Sequence, residues 1–237
     1  MRVDREPAFV LHTRDYRETS LLLEVFARGY GRLGLVAKGA KRPKSGVRGV
    51  LHPFQPLTIS WAGKGELGVL TAAEPAGQRV SLRGDTLYCG FYVNELLMRL
   101  LHRHDPHESL FDIYQEALGS LASQSDEEIT LRIFEKRLLQ ELGYALLLER
   151  EASGNEPVRP DQLYTYVIDR GPVPVNGDDH EGVRVHGASL LDLSIEQIDA
   201  PRTLQEAKRL MRAVLARYLD GKPLHSRKLF RSRATTA

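Results

Sequence analysis

Residues 20–46 read SLLLEVFARGYGRLGLVAKGAKRPKSG, and this stretch decides the fold of the first third of the chain. Two short apolar runs, Ser20 to Phe26 and Leu33 to Lys38, flank Gly29-Tyr30-Gly31. That triplet is a compact hairpin connection, because glycine reaches the positive φ such turns need. The next connection, Gly39 to Gly46, is longer and carries Lys41, Arg42 and Lys44. Working outward, Ala8 to His12, Leu57 to Trp61 and Leu67 to Ala72 are short runs rich in Val, Leu and aromatics, and Gly63-Lys64-Gly65 marks a further hairpin. Five short strands with one long cationic loop predict a small OB-type barrel over residues 1–80, with an SH3-like barrel or an open sandwich as alternatives. The stretch also spells G-x-G-x-x-G from Gly29 to Gly34. A dinucleotide loop must open a helix and be followed ~20 residues later by an acid. Here Gly34, Gly39 and Pro43 interrupt any helix, and no acid occurs between Glu24 and Glu66, so a nicotinamide site is excluded.

After Gly84 the apolar spacing changes to that of helices. Cys89, Tyr92, Val93, Leu96, Leu97 and Leu100 define one, and Leu110, Ile113, Tyr114, Ala117 and Leu121 a second. A capping box, Ser125 to Glu128, opens a third that runs to Leu142 and stops at Gly143. Another box, Thr203 to Glu206, opens a helix through Tyr218 that is expected to return and pack on the first three. Between them, Gly154 to Gly187 is rich in Pro and Gly, with strand-like runs only at Leu163 to Ile168 and Val183 to Val185. The expected fold class is α+β, in four parts: a barrel (1–80), a helical domain (81–148), a loop-rich insert (149–188) and C-terminal helices with a basic tail (189–237).

The net charge of +2 hides a segregation. Val25 to Gly65 holds eight basic residues and no acid, and Arg202 to the end holds ten basic residues against Glu206 and Asp220. The intervening and flanking residues are correspondingly acidic. Fields of one sign concentrate the opposite one, so two cationic segments point to a polyanion and the acidic middle to a different partner. Cys89 is the single cysteine, which excludes an internal disulfide, a thiolate zinc cluster and a Cys-x-x-Cys pair. The charged start, Arg2 to Glu6, is followed by no apolar run long enough for a signal peptide or a membrane span, so a cytoplasmic protein without a membrane partner is expected. There is no G-x-x-x-x-G-K-[ST] loop and no G-x-S-x-G elbow. His102, His104, Asp105 and His107, and also Asp178 to Glu181, are the densest metal-like clusters, but neither has the i, i+4 spacing of a zinc helix. Neither an enzyme nor a metal or cofactor site is expected.

Basic residues interleaved with aromatics suit a single-stranded nucleic acid, whose phosphates are neutralised while its bases stack. The candidate contacts are Arg32, Lys38, Lys41, Arg42, Lys44 and Arg48 on the barrel, with Arg227, Lys228 and Arg231 as a second patch. Tyr30, Phe54 and Trp61 read equally as stacking platforms and as barrel core.

The segments Leu35-Val36-Ala37-Lys38-Gly39-Ala40, Leu51-His52-Pro53-Phe54-Gln55-Pro56-Leu57, Tyr92-Val93-Asn94-Glu95-Leu96-Leu97 and Gly221-Lys222-Pro223-Leu224-His225-Ser226-Arg227 resemble the RecO family of recombination mediators, in order and over nearly the whole chain. The resemblance implies an OB barrel that binds single- and double-stranded DNA and anneals complementary strands. With RecR, it implies help for RecA in replacing single-strand-binding protein (SSB), in the cytoplasm at the nucleoid. A non-repair RNA-binding OB protein, or a hydrolase or oxidoreductase on a β-then-α fold, is the competing reading. Many members carry four zinc cysteines where this chain has Glu149 to Gly154 and no cysteine, so the metal is expected to be missing. The resemblance also implies the acidic C-terminal tail of SSB as a ligand. The third helix pairs the apolar Leu131, Phe134, Leu138 and Leu142 with cations: Arg132 for the terminal carboxylate, Lys136 and Arg137 as point charges. The alternative is that these are solvated helix charges.

Overall fold

The computed structural model describes residues 1–43, 45–63, 65–123, 125–175 and 181–226. Strands β1 (Arg2–Tyr16), β2 (Ser20–Ala27), β3 (Gly31–Ala37), β4 (Pro56–Ala62) and β5 (Leu67–Pro75) form a closed barrel in the order β1-β2-β3-β5-β4. β1 to β3 make an antiparallel meander, β5 runs parallel to β3, and β4 pairs with both β5 and β1. This order is that of an OB barrel and removes the SH3-like and sandwich alternatives. Leu23, Val25, Leu33, Leu35, Leu57 and Ile59 fill its interior.

β1 is much longer than Ala8 to His12. Its first half pairs with β4 and its second with β2, with register shifts between Val3 and Glu6 and between Val10 and His12. Arg2, Asp4 and Arg5 at one end, and Arg14 and Asp15 at the other, are exposed, so the apolar pattern announces only the doubly covered centre.

Helices α1 (Asp85–Leu100) and α2 (Glu108–Ala122) lie against the barrel's outer face. Phe111 and Tyr114 of α2 pack on Phe9 and Phe26, with ring centroids 5.0–6.2 Å apart. Asn94 of α1 donates to the Leu11 carbonyl at 2.9 Å and accepts from the Tyr114 hydroxyl at 2.8 Å. Barrel and helix pair therefore form one compact unit, Met1–Ser123, which also takes in the chain from Leu224.

The second unit, Gln124–Pro223, holds α3 (Glu127–Glu141), a sheet of β6 (Leu163–Val167), β7 (Gly171–Pro174) and β8 (Val183–His186) in the order β7-β6-β8, then α4 (Gly187–Ser194) and α5 (Pro201–Tyr218). The division after residue 123 differs from the expected one after residue 80. The reason is the aromatic seam that ties α2 to the barrel. Within this unit α5 packs on α3, α4 and β8. Both expected capping boxes are replaced. Asp126, not Ser125, caps α3 by accepting from the Ile129 N–H at 3.0 Å. α5 starts at Pro201, while Thr203 donates to Asp192 and Glu206 accepts from the His186 N–H.

Candidate nucleic-acid interface

The β3–β4 connection is a plug, not a free arm. Ala40 and Leu51 are buried in the barrel core, Val47 and Val50 pack against it, and the Lys41 N–H donates to the Thr19 carbonyl at 2.9 Å. Apolar anchors thus hold the loop over the barrel end where the β1–β2 turn, Arg17 to Thr19, also lies. Lys38, Arg42 and Arg48 project outward from it, exposed, with no ion pair among the described residues. Lys41 is partly neutralised by Asp15, at 2.7 Å. Lys44, Arg227, Lys228 and Arg231 lie outside the described residues.

Arg32 is not part of this group. Its Nε stands 3.2 Å from Glu24, and its Nη1 donates to the carbonyls of Met98 and, at 3.2 Å, Leu101. The guanidinium thus closes the C-terminal end of α1, where free carbonyls collect partial negative charge. Burial pulls its pKa down and Glu24 restores part of it. Glu24 also binds Arg103. The His104 N–H bonds to the Arg32 carbonyl at 2.9 Å, and a Cβ on Gly31 would sit 1.9 Å from the Asp105 carbonyl oxygen. The end of the β2–β3 face around Gly31, Arg32 and Glu24 is therefore covered by the chain's own segment after α1.

Of the three barrel aromatics, two resolve to core and Tyr30 is half-buried. Phe54 and Trp61 are buried, and Tyr30 meets Trp61 edge-on at 5.0 Å. Three further residues stand at this end of the barrel and were not singled out from the sequence: Arg14, Tyr16 and Arg17. Arg14 and Arg17 are exposed, and the Arg17 guanidinium lies 5.4 Å above the Tyr16 ring. Their signal was the period-two alternation of His12, Arg14 and Tyr16, which a strand ending at His12 leaves out.

The cations proposed on α3 for an acidic tail are occupied. Arg132 is buried and binds buried Glu135 at 2.6 Å. Lys136 bonds the Ser194 carbonyl at 2.6 Å and Glu196 at 3.1 Å, and Arg137 binds Glu196 at 2.6 Å. Burial pushes the Glu196 carboxyl up, but the bonds from Arg137 and Lys136 outweigh it and hold it below the ordinary carboxylate range. These are internal fastenings of the second unit: Arg132 pairs with Glu135 one turn along α3, while Lys136 and Arg137 reach Glu196, far along the chain.

The described part of the insert does not fit a zinc module, and Asp178, Asp179 and His180 lie outside the described residues. Among the described residues no group of three or more His, Cys, Asp or Glu could hold a metal ion, and Cys89 is buried in α1. Its turn is held instead by the buried Tyr164 hydroxyl, which donates to Glu151 at 3.0 Å and accepts from the Arg159 N–H at 2.9 Å. No helix among the described residues is long and apolar enough to cross a membrane.

Two family profiles, Recombination protein O N terminal and Recombination protein O C terminal, match residues 1–79 and 82–228. The chain belongs to the RecO family. It is 51% identical over 231 residues to the DNA repair protein RecO of Nitrosospira multiformis, covering 97% of this chain and 96% of that one. The RecO of Methylococcus capsulatus is 52% identical over 98% of this chain and 94% of its own. That of Dechloromonas aromatica is 50% identical over 97% and 96%. The junction of the two RecO profiles, between residues 79 and 82, falls in the connection from β5 to α1.

Proposed function

We propose that this protein is a non-enzymatic recombination mediator, acting in the cytoplasm at the nucleoid. It binds single- and double-stranded DNA at the cationic end of its barrel and anneals complementary strands. With RecR it helps RecA displace SSB from single strands. The observation that carries the reading is the set Lys38, Arg42 and Arg48, exposed without an ion pair among the described residues, at one end of the barrel. Cations that are not neutralised internally release counterions from a polyanion, and that release drives binding. Lys44, Arg227, Lys228 and Arg231 belong to the same reading by charge alone. An acidic SSB tail remains part of it; Arg132, Lys136 and Arg137, the residues expected to meet it, each carry an ion pair within the fold that a tail carboxylate has to share or displace.

The test is annealing of complementary oligonucleotides together with titration of single-stranded DNA across a salt series, for the parent and a Lys38→Ala, Arg42→Ala, Arg48→Ala variant. The parent is expected to anneal DNA, with affinity falling steeply with salt, and the variant to lose affinity and slope. A parent that anneals RNA but not DNA favours the RNA-binding alternative, and a variant with the parent's slope removes the barrel end as the interface.

A further inference from the structure

Charge neutralisation does not distinguish an unpaired strand from a duplex, since both carry phosphates. A group that meets bases does. On the outer face of the barrel, His12, Arg14 and Tyr16 alternate along β1, and the register sets Tyr16 opposite Ser20 and Arg14 opposite Leu22 on β2. β3 continues the row: Val36 is opposite Leu22, and one residue beyond the Leu21–Ala37 pair, Lys38 falls opposite Ser20. Tyr16 and Lys38 therefore flank the same row of the sheet at the cationic end, two strands apart. The Tyr16 ring is half-buried, and exposed Arg17, at φ 53°, spans it with its guanidinium 5.4 Å from the centroid. The other aromatics of the barrel strands, Phe9, Phe26 and Trp61, are buried, as is Phe54. Glu18, at the tip of the same turn, is the acid that tempers this group, since Asp15 is bound to Lys41.

We infer that Tyr16 and Arg17 form a stacking subsite for one unpaired base, so that the barrel end selects single strands over duplex. This rests on the reading that DNA binds at that end. A planar guanidinium over an aromatic ring is a pair that a base can extend or enter: stacking uses the π-face common to all bases, and arginine adds its cation–π attraction. A base in a duplex is stacked on both sides and presents no free face. Lys38, in the row of Tyr16, and Arg14, in the next row, hold the backbone beside the subsite.

The experiment uses the full chain and single-stranded oligonucleotides carrying 2-aminopurine, whose fluorescence falls on stacking, with the matching duplex as comparison. Tyr16→Leu is expected to lose the quenching and weaken single-strand binding by roughly fivefold or more, with duplex affinity and salt slope unchanged. Tyr16→Phe, which keeps the ring, is expected to behave as the parent. Arg17→Lys, which keeps the charge but not the plane and lies outside the strand, is expected to lose single-strand preference without changing the slope. Equal losses on single strand and duplex would reduce Tyr16 to a loop support and overturn the inference. So would parent-like binding by Tyr16→Leu and Arg17→Lys while the Lys38, Arg42, Arg48 variant is impaired; in that case the DNA interface stands. If that triple variant is itself unimpaired, the interface fails first.

Discussion

Glu95 accepts hydrogen bonds from the Ser226 hydroxyl at 2.7 Å and the Ser226 N–H at 2.8 Å, joining α1 to a residue 131 positions later. Its other oxygen takes the His225 N–H at 2.9 Å, and Arg99 stands 3.6 Å away. Burial pushes the carboxyl up, but these donors outweigh it and leave its pKa below the ordinary value. A carboxylate so depressed stabilises the fold fully above its unfolded pKa of about 4.3, and that contribution fades as pH falls through the lower folded value. Glu95→Gln is expected to cost about 1.5–3 kcal/mol near neutrality, the range for hydrogen bonds to a charged group. Denaturant melts of parent and variant should converge as pH falls from 7 to 3; a gap that stays constant over that range contradicts the anchor.

Arg32 and Arg42 are ten residues apart on the same barrel but predict opposite phenotypes. Arg32→Ala uncaps the end of α1 and leaves half-buried Glu24 with Arg103 alone. It is expected to lower the melting temperature with little change in the salt dependence of DNA binding. Removing Lys38, Arg42 and Arg48 together should leave the melting temperature near the parent's and reduce the slope of log K against log salt by about 2, at ~0.7 per phosphate contact on a single strand. The pair of measurements separates a structural cation from a binding one, and a slope change with Arg32→Ala would return it to the interface.

The barrel was legible because strand centres such as Leu33 to Ala37 are apolar on both faces and end at glycine turns. The outer ends of β1 were not, because Arg2, Asp4 and Arg14 face away from the core and carry no apolar signal. The cationic loop was equally plain in the sequence. What it does not show is which charges are already satisfied, since Arg32 finds its carbonyls 66 and 69 residues away and Lys136 its acid 60 away. Arg132 differs: Glu135 follows at i+3, a spacing that pairs charges on any helix, so that partner was there to be read. The helix starts were ambiguous locally, with Ser125 and Asp126 adjacent and both able to cap.

Arg132→Ala follows from that pair. It strips the buried Glu135 of a guanidinium 2.6 Å away, in a core lined by Leu131, Phe134 and Leu138. Breaking a buried pair from one side costs ~3–5 kcal/mol because the remaining charge is left in a poor solvent. The variant should show a large fall in unfolding free energy by urea titration. Arg132→Met with Glu135→Leu, which removes both charges, should recover most of it. A single variant as stable as the parent would show the pair to be solvated after all.

The last prediction concerns the insert, where hydrogen bonds do what metal does in a zinc module. Tyr164 is fully buried, and its hydroxyl links Glu151 to the Arg159 N–H; burial chiefly, with the Glu151 carboxylate adding, raises its pKa, so it remains a donor throughout the physiological range. Tyr164→Phe keeps the ring and removes both bonds, leaving the Arg159 N–H and one Glu151 oxygen without this partner, at a cost of about 1–3 kcal/mol. A zinc module loses its fold with its metal. Here a chelator is expected to leave the melting temperature unchanged in the parent, while Tyr164→Phe lowers it. Elemental analysis of purified protein completes the test, since one zinc per chain, or a chelator-induced fall in melting temperature, would show that the hydroxyl does not hold this turn alone.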